Sequence, residues 1–100
     1  MITSKQRSYL RSLANTMEPI FQLGKNGLSE NFIKQIEEAL EARELIKVTV
    51  LQNSIEDTRD VCREIAEATE AEEVQVIGSK FVLYRESKEN KKIELPKAPK

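Results

Sequence analysis

Gly24, Lys25, Asn26 and Gly27 are the stretch of this chain best equipped for chemistry: two of its three glycines stand three positions apart, with a cation and an amide between them. A glycine adopts positive φ without a Cβ penalty and lets its backbone approach another chain closely. Lys25 supplies a mobile point charge, and Asn26 both donates and accepts hydrogen bonds. Just downstream, Ser29 is a favourable N-cap, and the helix start it marks presents unpaired N–H groups to an anion, an effect that Glu30 partly offsets. Such a loop suits the gripping of a sugar-phosphate strand. The same spacing also describes a plain strand-to-helix turn, and on the loop alone both readings stand.

A second set of cations lies upstream. Arg7 and Arg11 are four apart, so on a helix they project from one flank, with Lys5 in the turn before them. Each guanidinium is able to hold a phosphate bidentately, and Lys5 adds longer-range attraction. The whole chain has a net charge of −1, but its charge is unevenly placed. Lys5, Arg7, Arg11 and Lys25 face only Glu18 over residues 1–28, whereas residues 55–73 carry eight carboxylates against Arg59 and Arg63. One face of such a molecule meets phosphate while another repels it. A solvated surface with uneven charge is the plainer alternative.

Several chemistries are excluded or disfavoured. The chain contains no histidine, so it lacks a His acid–base group, a Cys–His pair and a Cys/His metal cluster. The glycine loop lacks the Lys-Ser/Thr ending of a nucleotide-binding P-loop. No catalytic residue, metal ligand or cofactor is expected. Cys62 is the single cysteine and lies on a buried helical stripe, which blunts its thiol. No apolar run approaches the roughly 20 residues of a membrane span, and residues 1–5 lack the apolar core of a signal peptide. A cytoplasmic protein follows. Without a coiled-coil seam or an obvious apolar stripe left exposed, it is expected to be a monomer.

The elements that must position these residues are legible from pattern. Thr3 to Gln6 reads as a capping box, and Leu10, Leu13, Ala14 and Met17 give a helix that Glu18-Pro19 ends. Ile20 to Leu23 is a short strand. A second helix follows from Ser29 to about Arg43, with a possible Leu28–Ile33 staple and Phe32, Ile33, Ile36, Ala39 and Leu40 inward. Ile46 to Leu51 alternates as a strand. Residues 54–57 open a third, acidic helix whose buried side is Thr58, Val61, Cys62, Ile65 and Thr69. Val74–Ile77 and Phe81–Tyr84 flank a hairpin turn at Gly78-Ser79-Lys80. The order is α-β-α-β-α-β-β: a single two-layer α/β domain with a mixed four-stranded sheet over residues 1–86. Residues 87–100, rich in Glu and Lys, are expected to form a flexible charged tail.

Lys5-Gln6-Arg7, Leu10-Arg11, Leu13-Ala14, Pro19, Leu23 to Leu28 and Val74 to Gly78 together resemble the CRM domain, named for chloroplast RNA splicing and ribosome maturation. The resemblance covers residues 2–86 and is nearest to the small stand-alone bacterial members of the YhbY type. It implies a fold similar to the C-terminal domain of translation initiation factor three. It also implies an RNA-binding protein that associates with large-subunit precursors and assists ribosome assembly. Its RNA-contacting positions fall on Gly24, Lys25, Asn26 and Gly27, with Lys5, Arg7 and Arg11 as the basic first-helix positions. With four to five phosphates neutralised, affinity is expected to fall steeply with salt. The acidic third helix departs from that pattern. It leaves room for contact with basic ribosomal proteins, or for a protein-docking module that touches no RNA. Lys47, Lys80, Arg85 and Tyr9 are held as further residues that could border the site.

Overall fold

The computed structural model describes residues 2–24, 27–52 and 57–96. The chain folds as α1 (Ser4–Ala14), β1 (Phe21–Leu23), α2 (Glu30–Arg43), β2 (Leu45–Val50), α3 (Thr58–Thr69), β3 (Glu72–Ile77) and β4 (Lys80–Tyr84), the expected order. The four strands lie in the spatial order β1-β2-β4-β3. β1 runs parallel to β2, while β2–β4 and β4–β3 are antiparallel, so β4 inserts between the two strands that α3 connects.

Strict alternation along β2 and β4 divides the core in two. Ile46, Val48, Val50, Phe81 and Leu83 face α2 and α3, joining Ile36, Leu40, Val61, Cys62 and Ile65. Leu45, Val82 and Tyr84 face the other way and join Leu10 and Ala14 of α1. The layers therefore differ from the expected two: α2 and α3 cover one face of the sheet and α1 the other. Apolar residues at both parities of β2 and β4 require this, because a face left open would leave Leu45 and Val82 in water.

Helix starts follow the capping chemistry. Thr3 and Gln6 form a reciprocal capping box, and the Ser29 hydroxyl accepts from Phe32 N–H at 3.1 Å. α3 is capped by Asp57, which accepts from Arg59 N–H at 3.2 Å; Ser54, expected to open it, lies outside the described residues. α1 stops at Ala14, short of Glu18-Pro19. Lys47 Nζ donates to the carbonyls of Ala14 (3.0 Å) and Met17 (3.3 Å) and completes the helix end there.

Residues 87–96 lie against the domain rather than free of it. The buried Glu44, in a positive-φ conformation (67°) at the end of α2, accepts from the backbone N–H groups of Ser87 (2.6 Å), Lys92 (2.5 Å) and Ile93 (2.6 Å). Glu41, one turn earlier, accepts from Ser87 Oγ at 2.6 Å and from the N–H groups of Lys88 and Glu89. Burial alone would raise the Glu44 pKa, but the three N–H donors outweigh it and hold the carboxyl below its ordinary value. Hydrogen bonds from Ser87 and Lys88 lower Glu41 likewise. The segment then crosses to the α1 face, where Ile93 and Leu95 pack on the second core and the Gln6 amide donates to Pro96 O at 2.9 Å. Composition hides this because the anchors are backbone N–H groups, which any non-proline residue supplies.

Candidate functional site

The glycine loop leaves the end of β1 as a turn closed by a hydrogen bond from Gly27 N–H to Gly24 O at 3.2 Å. Gly27 sits at φ 70°, where an L side chain is strained, and both glycines are half-buried. Lys25 and Asn26 lie outside the described residues. The β3–β4 hairpin turn reaches the same end of the sheet, with Gly78 at φ 57°. Ser79 O accepts from Val50 N–H at 2.6 Å, and Leu23 O accepts from Leu51 N–H at 2.8 Å. These bonds tie the glycine turn and the hairpin turn to the two sides of the same strand end.

The three basic positions of α1 do not all gather there. Arg7 is half-buried, and its Nε donates to Glu73 O at 3.2 Å on the edge strand β3. Glu73 pairs with Leu83, at the end of β3 remote from the hairpin turn. The strand register separates this point from the glycine turn by roughly 15 Å along the strands and about 14 Å across three strand spacings. Lys5 is exposed in the first turn, farther still from the hairpin. Arg11 is exposed one turn beyond Arg7, and Asn15 follows another four residues on, so the Arg7–Arg11–Asn15 flank leads from Glu73 towards the hairpin.

Asn15 opens onto a groove of about 340 Å³ between the end of α1 and the hairpin, lined also by Lys47, Gln75, Ile77 and Lys80. Lys47 and Lys80 thus border the α1-side surface. Sequence reasoning left both unplaced, although alternation with Ile46, Val48 and Phe81 assigns them to the face opposite the α2/α3 core. Arg85 belongs elsewhere. Its guanidinium donates to Thr69 O (3.2 Å) and Glu37 O (3.3 Å) and pairs with Glu41 at 3.6 Å, fastening β4 to α2 and α3. Tyr9 lines a separate shallow groove with Glu94, Leu95 and Pro96. Phe21 and Phe32 meet edge to face at 5.9 Å against the α2/α3 core, Phe81 is buried within it, and Tyr84 packs on the other core. Burial, reinforced by Glu73, pushes the Cys62 thiol up to about 12 and leaves it inert at neutral pH.

Charge separates along with the layers. α1 carries Lys5, Arg7 and Arg11 and no carboxylate. α2 sets Glu30, Glu37, Glu38 and Glu41 against Lys34 and Arg43, and α3 sets Asp60, Glu64 and Glu67 against Arg59 and Arg63. The groove at the hairpin contains no carboxylate, whereas the cleft at the opposite end of the sheet holds Glu70, Glu72 and Glu86 around Arg85. Among the described residues, α1 and the hairpin groove thus combine cations with no carboxylate of their own. Among the described residues no His, Cys, Asp or Glu cluster is able to hold a metal ion, and no helix is long and apolar enough to cross a membrane.

The sequence model of the CRS1/YhbY (CRM) domain family matches residues 2–85. The chain is 58% identical over 96 residues to the probable RNA-binding protein YqeI of Bacillus subtilis, covering 96% of this chain and 100% of that one. It is 42% identical to an RNA-binding protein of Haemophilus influenzae, covering 96% of each. Among solved structures, the solution structure of protein SAV1595 from Staphylococcus aureus superposes with a TM-score of 0.79 at 61% identity, covering 96% of this chain and 100% of that one.

Proposed function

The chain belongs to the CRS1/YhbY (CRM) domain family, and from that premise we propose that it binds RNA across its α1 face and the glycine turn. It is a binding protein, not an enzyme. The observation that carries the RNA site is the charge of the layers: α1 and the hairpin groove offer cations without a carboxylate, while α2 and α3 present an acidic face. Gly24 and Gly27 let the turn backbone lie against phosphate and ribose, Lys25 and Asn26 add a charge and an amide, and Arg11 extends the track along α1. Arg7 and Lys5 lie towards the far end of that track. A strand engaging both ends therefore crosses the sheet obliquely.

The RNA in this reading is rRNA of the large-subunit precursor, and the protein assists assembly as a cytoplasmic monomer. The acidic face is then free to meet basic ribosomal proteins. Titrating a fluorescent single-stranded RNA with the protein at rising salt tests the binding itself. Neutralising four to five phosphates gives a slope of log K against log salt near about −3. Absence of salt-sensitive binding favours a protein module docking by α3. Crosslinking in cells followed by sequencing tests the ribosomal assignment, which fails if large-subunit rRNA is not enriched.

A further inference from the structure

We propose that the groove between the end of α1 and the β3–β4 hairpin is a pocket for one unpaired nucleotide, a site separate from the glycine turn; this rests on the RNA-binding reading above. Its volume, about 340 Å³, lies at the lower end of pockets that hold small molecules, roughly 300–1,000 Å³. It is too small for a duplex edge to enter but adequate for a splayed base and its ribose.

The lining has the chemistry such a ligand needs. Asn15 and Gln75 bring side-chain amides, each with donors and an acceptor, to match the polar edge of a base. Ile77 is 61% exposed at the mouth and, with Val82 on the floor, offers an aliphatic surface to a base or ribose face. Lys80 is exposed beside them for a phosphate. Lys47 has a different part. The C-terminal carbonyls of a helix repel phosphate, and α1 ends at this groove. Lys47 Nζ covers the carbonyls of Ala14 and Met17 at 3.0 and 3.3 Å, so the helix end that would repel an anion is neutralised.

Ile77 has no structural reason to be apolar, since Val76 supplies the inward contact of this strand end. Gly78 has open space where a Cβ would stand, so its φ of 57° serves the turn and not the groove. The pocket shape therefore belongs to Asn15, Gln75, Ile77 and Lys80. Unpaired bases are what proteins read in RNA, because their edges and faces are free.

The test compares the wild-type protein with Gln75→Ala/Ile77→Ala, two partly exposed positions whose loss leaves both cores intact. Fluorescence anisotropy is measured against a single-stranded 12-mer RNA and against the same sequence as a duplex. A second readout is photocrosslinking of a 4-thiouridine 12-mer, followed by peptide mass spectrometry. The expected result is about a 10-fold loss of affinity for the single strand, about 1.4 kcal/mol, with duplex binding unchanged and the crosslink at residues 75–80 lost. Equal losses on both probes, or none, overturn the pocket while leaving RNA binding in place. If the wild-type protein binds neither probe, the RNA-binding reading fails first and the pocket with it.

Discussion

Helix α1 on one side of the sheet and helices α2 and α3 on the other are held by the same device, alternate apolar residues of β2 and β4 pointing to opposite faces. Their solvent sides diverge. α1 exposes Lys5 and Arg11 and carries no acid of its own, whereas α2 and α3 expose Glu37, Glu38, Glu64 and Glu67. The apolar pattern decides which helix packs where, and the outer residues decide what each layer attracts. A net charge of −1 therefore describes neither face. Besides the sheet between them, the segment 87–96 joins the two, running from Glu41 and Glu44 at the end of α2 to Leu10's core and Gln6 on α1.

The largest expected effect comes from cutting that link. Glu44→Ala leaves the N–H groups of Ser87, Lys92 and Ile93 without their acceptor, a cost of about 3 kcal/mol. Urea denaturation measures it, and hydrogen exchange at those three amides should accelerate. No loss of stability would show that the two faces stand independently of this strap, residues 87–96. The same anchor sets a pH dependence. Glu44 and Glu41 titrate below their ordinary value of 4.5 in the folded protein. Their contribution is thus complete above that value and is lost as pH falls through the folded values. Denaturation midpoints measured between pH 6 and pH 3 should decline less steeply for Glu44→Gln than for wild type.

Next comes a direct contrast between the faces. Arg11→Glu/Lys80→Glu should weaken single-stranded RNA binding about 30-fold, or about 2 kcal/mol. Glu64→Lys/Glu67→Lys on α3 should leave it unchanged or slightly tighter. Comparable weakening by both variants breaks the distinction. Smaller again, Gly27→Ala forces a Cβ into positive φ and should cost about 1 kcal/mol of stability, read from a thermal melt. A neutral outcome would show that the turn relaxes to negative φ.

Much of this architecture was legible in the chain. Capping chemistry located the starts of α1 and α2, alternation located β2, and the Gly78-Ser79-Lys80 turn between two apolar runs located β3 and β4, because all three signals are local. The division into two covered faces was also written in Leu45, Val82 and Tyr84, which alternate with Ile46, Phe81 and Leu83. That parity becomes a layer only once the strand order is known. The end of α1 was misplaced because Lys47, 33 residues beyond Ala14, completes it. The strap escaped notice for a related reason: Glu44 looks like one more surface acid until three distant N–H groups converge on it. Within the site, the flank shared by Arg7 and Arg11 was readable from their spacing. The use of Arg7 on the β3 edge was not, since it depends on which strand lies outermost. Lys47, Gln75 and Lys80 come together only through strand pairing.

The most direct test is a titration of 15N-labelled protein with a single-stranded RNA, followed by amide shifts in NMR spectra. Shifts should concentrate at Gly24, Gly27, Arg11, Asn15 and residues 75–80, with Asp60 to Glu67 silent. Shifts gathered along α3, with the hairpin and glycine turn unmoved, would contradict the account.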